Sequence, residues 1–381
     1  MSTFAVKVTK IEAIEAIPGA DKIEAAVIGD YRVVVLKNQF KVGQLGVYIP
    51  EGAIVPDLIL KRMGLEGKLA GQQKNRVKSI QLRQVLSQGL VYCITDSNGQ
   101  LDAPFISIPT ESGVDVMLPV KEGQDVANDM GIIKWDPPIP IHMRGEVYNA
   151  GLENTINFDV ENIKAWPDVF IENEDVCITE KIHGSFVCVG ILPECQSNEN
   201  HIMNRFVVFS KGLGSKGLCF KDNKANENNV YLRVLKKEDI FNKMMYHFSG
   251  TPYPIFFLGE VFGEGMQDLK YGSTLSFRVF DICSGEPGKR LYMPPLHVKD
   301  ILTQMNINMV PMLYTGPYSK EKVKELTSGK ETVSGSQLHM REGVVIRPVE
   351  ERRHKNLGRV ILKSVSDEYL LRNGINVTEF N

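Results

Sequence analysis

The chain has 381 residues, of which 43% are hydrophobic and 24% charged, and its formal net charge is -2. These values exclude a mainly disordered chain and are typical of a globular protein with about two domains. No apolar run reaches the roughly 20 residues that a membrane helix requires, so no membrane partner is expected. The N-terminal segment lacks the pattern of a secretion signal. We therefore expect a cytoplasmic protein, or a nuclear one if the source is a eukaryote.

The cysteines favour the same compartment. The six positions are Cys93, Cys177, Cys188, Cys195, Cys219 and Cys283. No two of them form a CxxC pair, and no histidine stands at the spacing of a zinc site. We predict six free thiols, as expected for a chain kept in a reducing environment.

Residues 1–128 are predicted to form a small β-barrel. Stretches rich in valine and isoleucine alternate with polar residues, and turn signals interrupt them at positions 18–19, 29–30, 43 and 50. Short strands at this spacing are typical of a small barrel. A helix is predicted near 57–63.

A linker is predicted over 129–165, because the prolines of "WDPPIPIHMRGE" exclude a helix there. Residues 166–381 then form a larger unit in which strands and helices mix in the order of an α+β fold. We predict helices at 228–248, 294–306 and 319–327, and a last helix, "DEYLLRN", that Ser366 would cap. The chain contains no P-loop sequence.

Two segments carry local positive charge despite the acidic total. Residues 205–224 contain five basic residues and one acid, and residues 341–363 contain seven basic residues and three acids. Phosphate binding requires a local positive surface rather than a basic protein. Each segment taken alone is more typical of a solvated face.

Lys181 in "TEKIHGSF" is the sharpest chemical feature. It ends an apolar, strand-like run, and Gly184 follows closely, which would let a phosphate approach the backbone. An amine in this setting suits a nucleophile, provided that it is neutral when it attacks. The alternative is an ordinary exposed lysine at the end of a strand.

Four further residues favour the interpretation of Lys181 as a nucleophile: Glu260 in "FFLGEVFG", Phe280 in "FRVFDI", Glu342 in "EGVVIR" and Lys363 in "RVILK". Each alone has an ordinary explanation as a surface charge or a core ring. Together they supply what adenylyl transfer requires. Carboxylates can hold hydroxyl groups and a divalent metal, an aromatic ring can stack on a purine, and a second lysine can neutralise the transferring phosphate.

The same residues, in order, resemble the motifs of the covalent nucleotidyltransferases, the superfamily of RNA ligases, DNA ligases and capping enzymes. The matching segments are KIHG at 181–184, SKG at 210–212, GE at 259–260, FRVFDI at 277–282, EGVVIR at 342–347 and LK at 362–363. "TEKIHGS" and "GEVFGEGMQDLKYG" resemble the phage-type RNA ligase 2 branch. The N-terminal module resembles the OB-type module that precedes the transferase domain in the fifth RNA-ligase family.

The resemblance implies an ATP-dependent RNA ligase with an OB-like module followed by an α+β adenylyltransferase domain. Lys181 matches the lysine that becomes adenylylated, with Gly184 beside it, and Lys211 matches a basic residue near the ribose and phosphate. Glu260 matches the glutamate that holds the ribose, and Phe280 the ring that stacks on adenine. Glu342 matches the glutamate that serves the metal, with Glu260 as its second carboxylate, and Lys363 the lysine on the α-phosphate. ATP and Mg²⁺ or Mn²⁺ are the implied cofactors.

Three positions depart from the family pattern. His183 stands where much of the superfamily has an aspartate, although the phage-type branch also has histidine. Ser185 and Phe186 stand where relatives often have Thr-Asn, whose asparagine touches the 5′-phosphate. The last motif commonly has two lysines, whereas here Ile361 precedes Lys363 and Arg359 is the nearest other cation.

The resemblance implies that a monomer joins RNA ends in three phosphoryl transfers, in a duplex or in single strands and with DNA ends left open. The two basic segments would then lie beside the pocket, and the OB-like module would add a groove for the strand. Two alternatives remain open. One is another enzyme of the superfamily, a DNA ligase or a capping enzyme, and the other is a nucleic-acid-binding protein with an inactive transferase domain.

Overall fold

The computed structural model describes residues 4–95, 104–136, 145–193, 205–272, 274–286 and 288–372. The chain divides into two units, residues 2–136 and residues 137–381, each with its own hydrophobic core. The described residues mix strands and short helices, which confirms the predicted α+β class. Within them, no helix combines the length and the apolar character needed to cross a bilayer.

The first unit is built from short antiparallel strands. In chain order its elements are β1 (Lys7–Lys10), β2 (Ala13–Ala16), β3 (Ile23–Ile28), β4 (Tyr31–Leu36), β5 (Leu45–Ile49), β6 (Ala53–Ile54), α1 (Asp57–Met63), β7 (Ile80–Leu82), β8 (Val85–Ser87), β9 (Leu90–Cys93), β10 (Phe105–Ile108), β11 (Val116–Pro119) and β12 (Ile133–Lys134). Two three-stranded sheets, β1-β5-β9 and β2-β3-β4, and three strand pairs make up this unit. The alternation of valine and isoleucine places one face of these strands in the core.

The predicted helix at 57–63 is confirmed as α1. It ends because Gly64 adopts a left-handed conformation with φ 67°, which lets its N–H bond back to the last turn. This turn returns the chain to the barrel strands.

The second unit contains the remaining elements. They are β13 (Val147–Asn149), β14 (Glu161–Asn162), β15 (Asp175–Lys181), β16 (Ser185–Ile191), β17 (Phe206–Ser210), α2 (Lys211–Gly214), β18 (Leu218–Phe220), α3 (Val230–Lys237), α4 (Ile240–Phe248), β19 (Ile255–Phe262), β20 (Ser276–Ser284), β21 (Leu291–Tyr292), α5 (Pro295–Gln304), β22 (Met312–Pro317), α6 (Lys320–Thr327), β23 (Gly343–Pro348), β24 (Arg353–His354), β25 (Gly358–Arg359), β26 (Leu362–Val365) and α7 (Asp367–Leu370). Short 3₁₀ turns lie at Leu152–Asn154, Ile163–Ala165 and Lys224–Asn226.

Two five-stranded sheets organise this unit. Sheet I has the strand order β14-β26-β23-β15-β22, and sheet II has the order β17-β16-β19-β20-β21. All neighbours are antiparallel except β14 and β26, which are parallel. Sheet II shares its core with α3, α4 and α5, and sheet I shares its core with α6.

The predicted helix over 228–248 is wrong in one respect, because it is two helices. α3 ends at Lys237, and α4 begins after Asp239, which has a φ of 57° that interrupts the regular helix. The adjacent Glu238 explains the break, since its carboxylate accepts bonds from the Ser276 hydroxyl at 2.7 Å and the Phe277 N–H at 2.9 Å. The chain therefore turns here to anchor the start of β20.

The helices predicted at 294–306 and 319–327 are confirmed as α5 and α6. The last helix, α7, also begins after Ser366, but the predicted cap is wrong. The buried Ser366 hydroxyl forms no hydrogen bond with the described residues. Asn373, the predicted end of this helix, lies outside the described residues.

The segment 129–165, predicted as a linker, contributes strands to both units. β12 pairs with β6 in the first unit, whereas β13 pairs with β18 and β14 pairs with β26 in the second. Five of the six cysteines, at positions 93, 177, 188, 219 and 283, are free thiols, and Cys195 lies outside the described residues.

Candidate active site

Lys181 is the last residue of β15, which lies between β23 and β22 in sheet I. It stands opposite Gly343, the first residue of β23, and a Cβ at Gly343 would come within 2.1 Å of the Ser364 carbonyl oxygen. The glycine therefore lets three strands pack closely beside the lysine. Lys181 Nζ donates a hydrogen bond of 2.6 Å to Glu342 Oε1, and its side chain keeps 19% of its surface exposed. The amine is thus fixed in place yet open to a ligand.

Glu342 is almost fully buried, with 2% of its side chain exposed. Burial would raise the pKa of this carboxyl, but the Lys181 ammonium and His183 outweigh it and hold the pKa at about 2. Glu342 Oε2 is buried and accepts no hydrogen bond from the described residues. The ring nitrogen Nδ1 of His183 lies 3.6 Å from this oxygen.

Glu260 reaches the same place from sheet II. It lies on β19 opposite Phe186, and its carboxylate accepts a bond from the Gly184 backbone. A Cβ at Gly184 would come within 2.4 Å of the Val261 carbonyl oxygen, so only glycine permits this approach. Burial raises the pKa of Glu260 to about 8, although the nearby Lys181 opposes the shift.

Two further lysines complete the charge pattern. Lys363 lies on β26 opposite Val345, and its pKa is lowered by burial and then by the neighbouring Lys181 and Lys211 cations. Lys211 follows β17 at the start of α2 and donates a bond of 2.9 Å to Asp159 Oδ1. Cations from β15, α2 and β26 therefore converge on one pocket.

Phe280 occupies a bulge in β20. Its neighbours Val279 and Asp281 pair with adjacent residues of β19, so Phe280 itself has no partner across the strand. Its ring centroid lies 5.4 Å from that of Phe158 and 6.1 Å from that of Phe186. Phe158 and Phe186 stack on each other at 5.7 Å with an interplanar angle of 13°. All three rings are partly exposed, which makes an aromatic wall beside Glu260.

The structure therefore brings the predicted residues Lys181, Gly184, Lys211, Glu260, Glu342 and Lys363 into one pocket, with Phe280 at its aromatic wall. Across the described ranges, no group of three or more histidine, cysteine, aspartate or glutamate side chains is arranged to hold a metal. The pocket offers two carboxylates of unlike pKa, one positioned amine and two further cations. That combination can bind a nucleoside phosphate and support attack at phosphorus.

Sequence reasoning missed two contributors, Phe158 and Asp159. They belong to a segment predicted as a linker, and the Lys211 partner of Asp159 is 52 residues away. A carboxylate beside an aromatic residue is too common in a sequence to signal a site. Only the pairing of β14 with β26, which places Asn162 opposite Lys363, brings this segment to the pocket.

The expectation that residues 341–363 form a phosphate-facing basic surface is wrong for most of the segment. Four of its arginines bind groups of the protein itself. Arg341 donates to two backbone carbonyls, Arg352 pairs with Glu174, and both Arg347 and Arg359 pair with Asp281. Arg359 is therefore not a second cation for the pocket, and Lys363 serves there without it.

The segment 205–224 is mixed. Arg205 is buried and donates to the carbonyls of Leu192 and Ser249. Lys216, Lys221 and Lys224 are exposed. The positive surface of this segment therefore comes from the lysines after α2.

Family models match both parts of the chain. The RNA ligase family matches residues 174–365, and a family of OB-fold domains matches residues 5–94. These matches confirm the predicted OB-like module and the ligase-type domain that follows it. No curated protein sequence matches the chain.

Solved structures of Naegleria gruberi RNA ligase have a similar fold over 96% of this chain. A lysine-to-alanine variant with ATP and Mn is 20% identical, covers 96% of this chain and 98% of its own, and has a TM-score of 0.71. A lysine-to-methionine variant with AMP and Mn gives the same values. A complex with PPi is 21% identical, covers 96% and 97% of the two chains, and has a TM-score of 0.71.

The family match spans both sheets of the second unit, from β15 to β26, and includes Lys181, Glu260, Glu342 and Lys363. It confirms the enzyme class predicted from the sequence. This chain belongs to the RNA ligase family.

Proposed function

We propose that this protein is an ATP-dependent RNA ligase that joins a 3′-hydroxyl to a 5′-phosphate through a lysyl-AMP intermediate. The observation that carries the proposal is the 2.6 Å contact between Lys181 Nζ and Glu342 Oε1 in a pocket that also holds Glu260, Lys211 and Lys363. Complexes of Naegleria gruberi RNA ligase with ATP, with AMP and with PPi support the choice of nucleotide.

In the first step, the neutral Lys181 amine attacks the α-phosphorus of ATP. The N–P bond forms, the bond to the pyrophosphate oxygen breaks, and the amine proton leaves to solvent. Lys363 and Lys211 stand where they can neutralise the charge that builds on the phosphate oxygens. Glu342 orients the amine before the attack.

The residues present fit a divalent metal. Glu342 Oε2 is a buried carboxylate oxygen that the described residues leave without a hydrogen-bond donor, and the Glu260 carboxyl lies close enough to interact with it electrostatically. Mg²⁺ is commonly held by one or two carboxylates, with water and substrate phosphates completing its shell. Glu342 and Glu260 would hold it, and it would supply charge neutralisation at the α-phosphate.

The nucleoside would lie against the aromatic wall. Phe280 offers a partly exposed ring for the adenine, since aromatic faces stack on purines. Glu260 lies beside that wall, where its carboxyl can bond a ribose hydroxyl. Its raised pKa of about 8 suits a group that also donates a hydrogen bond when protonated.

Two later steps complete the reaction. AMP passes from Lys181 to the 5′-phosphate, and the 3′-hydroxyl then displaces AMP as the new phosphodiester forms. The Ser185 hydroxyl bonds the Tyr231 hydroxyl at 2.7 Å, and Phe186 packs in the aromatic wall. Neither is suited to grip the 5′-phosphate, so we assign that task to the exposed lysines of 205–224. The OB-fold unit would bind the strand.

The five free thiols among the described residues support action in the reducing cytoplasm. We also propose that the protein repairs RNA breaks there and that it acts as a monomer.

The test is transfer of label from α-labelled ATP to the chain in the presence of Mg²⁺, followed by denaturation. We expect label on the wild type and none on Lys181→Ala. Lys299→Ala, an exposed lysine of α5, serves as the matched control and should be labelled normally. Label on Lys181→Ala would contradict the assignment of the nucleophile. A folded wild type that binds RNA but takes no label would leave a binding protein instead.

The labelling assay and a strand-sealing assay together separate the related enzymes. Label from GTP in preference to ATP would indicate a capping enzyme. Sealing of DNA ends in preference to RNA ends, measured on matched nicked duplexes, would indicate a DNA ligase. We expect ATP and an RNA 3′-hydroxyl to be preferred.

A further inference from the structure

His183 lies two residues after Lys181 and is held from three sides. Its backbone N–H donates to the Tyr271 hydroxyl at 2.8 Å. Its ring Nε2 lies 2.6 Å from Asp268 Oδ1, and its ring Nδ1 lies 2.9 Å from the Tyr369 hydroxyl. With only 2% of its surface exposed, the ring is locked in one orientation.

Asp268 is itself held. Arg372 Nε donates to Asp268 Oδ2 at 2.8 Å. Burial would raise the pKa of the Asp268 carboxyl, but Arg372 and His183 outweigh burial, so the pKa is lowered. Arg372 also donates to the Tyr369 carbonyl at 2.7 Å, and its guanidinium lies 3.5 Å from the centroid of the Tyr369 ring. Asp268, Arg372 and Tyr369 therefore form one connected clamp on the histidine.

The clamp determines which ring nitrogen of His183 carries a hydrogen. An ionised Asp268 can only accept, so Nε2 carries the hydrogen that it shares with that carboxylate. Nδ1 then faces the Tyr369 hydroxyl and, at 3.6 Å, the buried Glu342 Oε2. A carboxylate that fixes the far nitrogen of a histidine is a common way to orient the near one.

We propose that Asp268, Tyr369 and Arg372 are positioning residues of the adenylylation site and that they act through His183. The inference rests on the proposed function of Lys181. His183 links the clamp to the segment that follows Lys181 and to Glu342, the hydrogen-bond acceptor of the lysine. Tyr369 and Arg372 lie beyond residues 174–365, so the clamp closes the site with residues outside the family match.

The physical effect is geometric. A loosened His183 would let the 182–184 segment and Glu342 shift by fractions of an ångström, and misplacement by about 1 Å can slow a reaction about 10²-fold. ATP would still bind against the aromatic wall and the lysines. The clamp should therefore govern the rate of lysine adenylylation rather than the affinity for ATP.

The experiment is single-turnover adenylylation with α-labelled ATP and Mg²⁺, run over a range of ATP concentrations on the full-length protein. Asp268→Ala should lower the maximal rate constant by about 10-fold to 100-fold, as loss of a partner that orients a site histidine commonly does. The ATP concentration at half-maximal rate should change by less than about threefold. Tyr369→Phe removes one hydroxyl, and Arg372→Lys keeps the charge, so both should give smaller losses.

A double-mutant cycle tests whether the clamp acts through the histidine. His183→Ala combined with Asp268→Ala should be no slower than His183→Ala alone, because the second change has nothing left to orient. Rate losses that multiply in the double variant would overturn the proposal. Asp300→Ala, an exposed aspartate of α5, is the matched control and should adenylylate at the wild-type rate.

The remaining outcomes are equally decisive. A wild-type rate in Asp268→Ala would show that the clamp does not position the site. A loss in Tyr369→Phe that only matches the fraction of unfolded protein in a melting curve would show a purely structural role. If the wild type took no label while still folded, the proposed function would fail, and this inference would fail with it.

Discussion

The second unit contains two buried clusters of charge that differ in one respect. The active-site cluster comprises Lys181, His183, Glu260, Glu342 and Lys363. The arginine cluster comprises Asp281, Arg347, Glu351 and Arg359, and it ties β20 of sheet II to β23 of sheet I and to β25. The first has a carboxylate oxygen without a donor among the described residues, whereas the second pairs each of its charges directly.

The ionisation of the two clusters reflects this difference. In the arginine cluster, Asp281 and Glu351 raise the pKa of Arg359 still further and fix it as a cation. In the active-site cluster, two neighbouring carboxyls have pKa values of about 2 at Glu342 and about 8 at Glu260. A cluster complete in itself holds the fold together, and an incomplete one is prepared for a ligand.

The largest effect is expected at the arginine cluster. Asp281→Ala leaves Arg347 and Arg359 without their shared partner and should reduce the free energy of unfolding by about 3–5 kcal/mol. Chemical denaturation measures this loss. Asp175→Ala, an exposed aspartate at the start of β15, is the control and should change little. A loss below about 1 kcal/mol would mean that the cluster behaves like surface ion pairs, and the comparison would break.

The second prediction concerns Glu342. Glu342→Gln keeps the shape of the side chain but removes the charge that faces Lys181, so labelling by ATP should fall by at least about 10²-fold. Its melting temperature should fall less than that of Asp281→Ala, because the partner that it leaves, Lys181, is partly exposed, whereas Asp281→Ala affects two buried arginines. Equal damage to stability in the two variants would remove the distinction between the clusters.

A smaller effect is expected at the aromatic wall. Phe280→Ala should weaken ATP use by about 10-fold, since stacking on one ring is worth about 1–3 kcal/mol per base. Sealing of an RNA end that is already adenylylated should suffer less, because that substrate is bound through its strand as well. The two assays run side by side measure the difference. Equal losses would assign Phe280 to core packing.

The smallest effect is expected for Glu260→Gln, as a gain in stability that depends on pH. The pKa of Glu260 is raised from 4.5 to about 8, so between these values the folded protein holds a proton that the unfolded chain has lost. Stability therefore falls as pH rises through this window, and Glu260→Gln removes the dependence. Without nucleotide, the variant should melt a few degrees above the wild type at pH 9 and near it at pH 5. A difference in melting temperature that is the same at both pH values would show that Glu260 does not titrate within this window.

The sequence predicted the chemistry better than its surroundings. Lys181, Glu260, Glu342 and Lys363 stand in short motifs that are weak one by one, and their order along the chain made the set recognisable by its resemblance to a known family. Asp268 and Tyr369 could not be recognised, because their link to His183 spans 85 and 186 residues. No local pattern encodes such a contact.

The charge pattern of the sequence was misleading where the fold buries it. Arg347 and Arg359 were counted toward a phosphate-binding surface, but they serve Asp281 between the strands. Likewise the helix predicted over 228–248 is interrupted at Asp239, beside Glu238, whose carboxylate accepts a bond from Ser276. Both errors arise from side chains whose partners lie far away in the chain.

The parallel pairing of β14 with β26 and the bond between His183 and Tyr369 have a consequence for synthesis. Both join segments about 200 residues apart, so neither can form until nearly the whole chain has emerged. At 5–20 residues per second, roughly 10 to 40 s separate the appearance of Lys181 from that of Tyr369. During this interval the nascent chain carries Lys181 without the partners that hold His183 and sheet I in place.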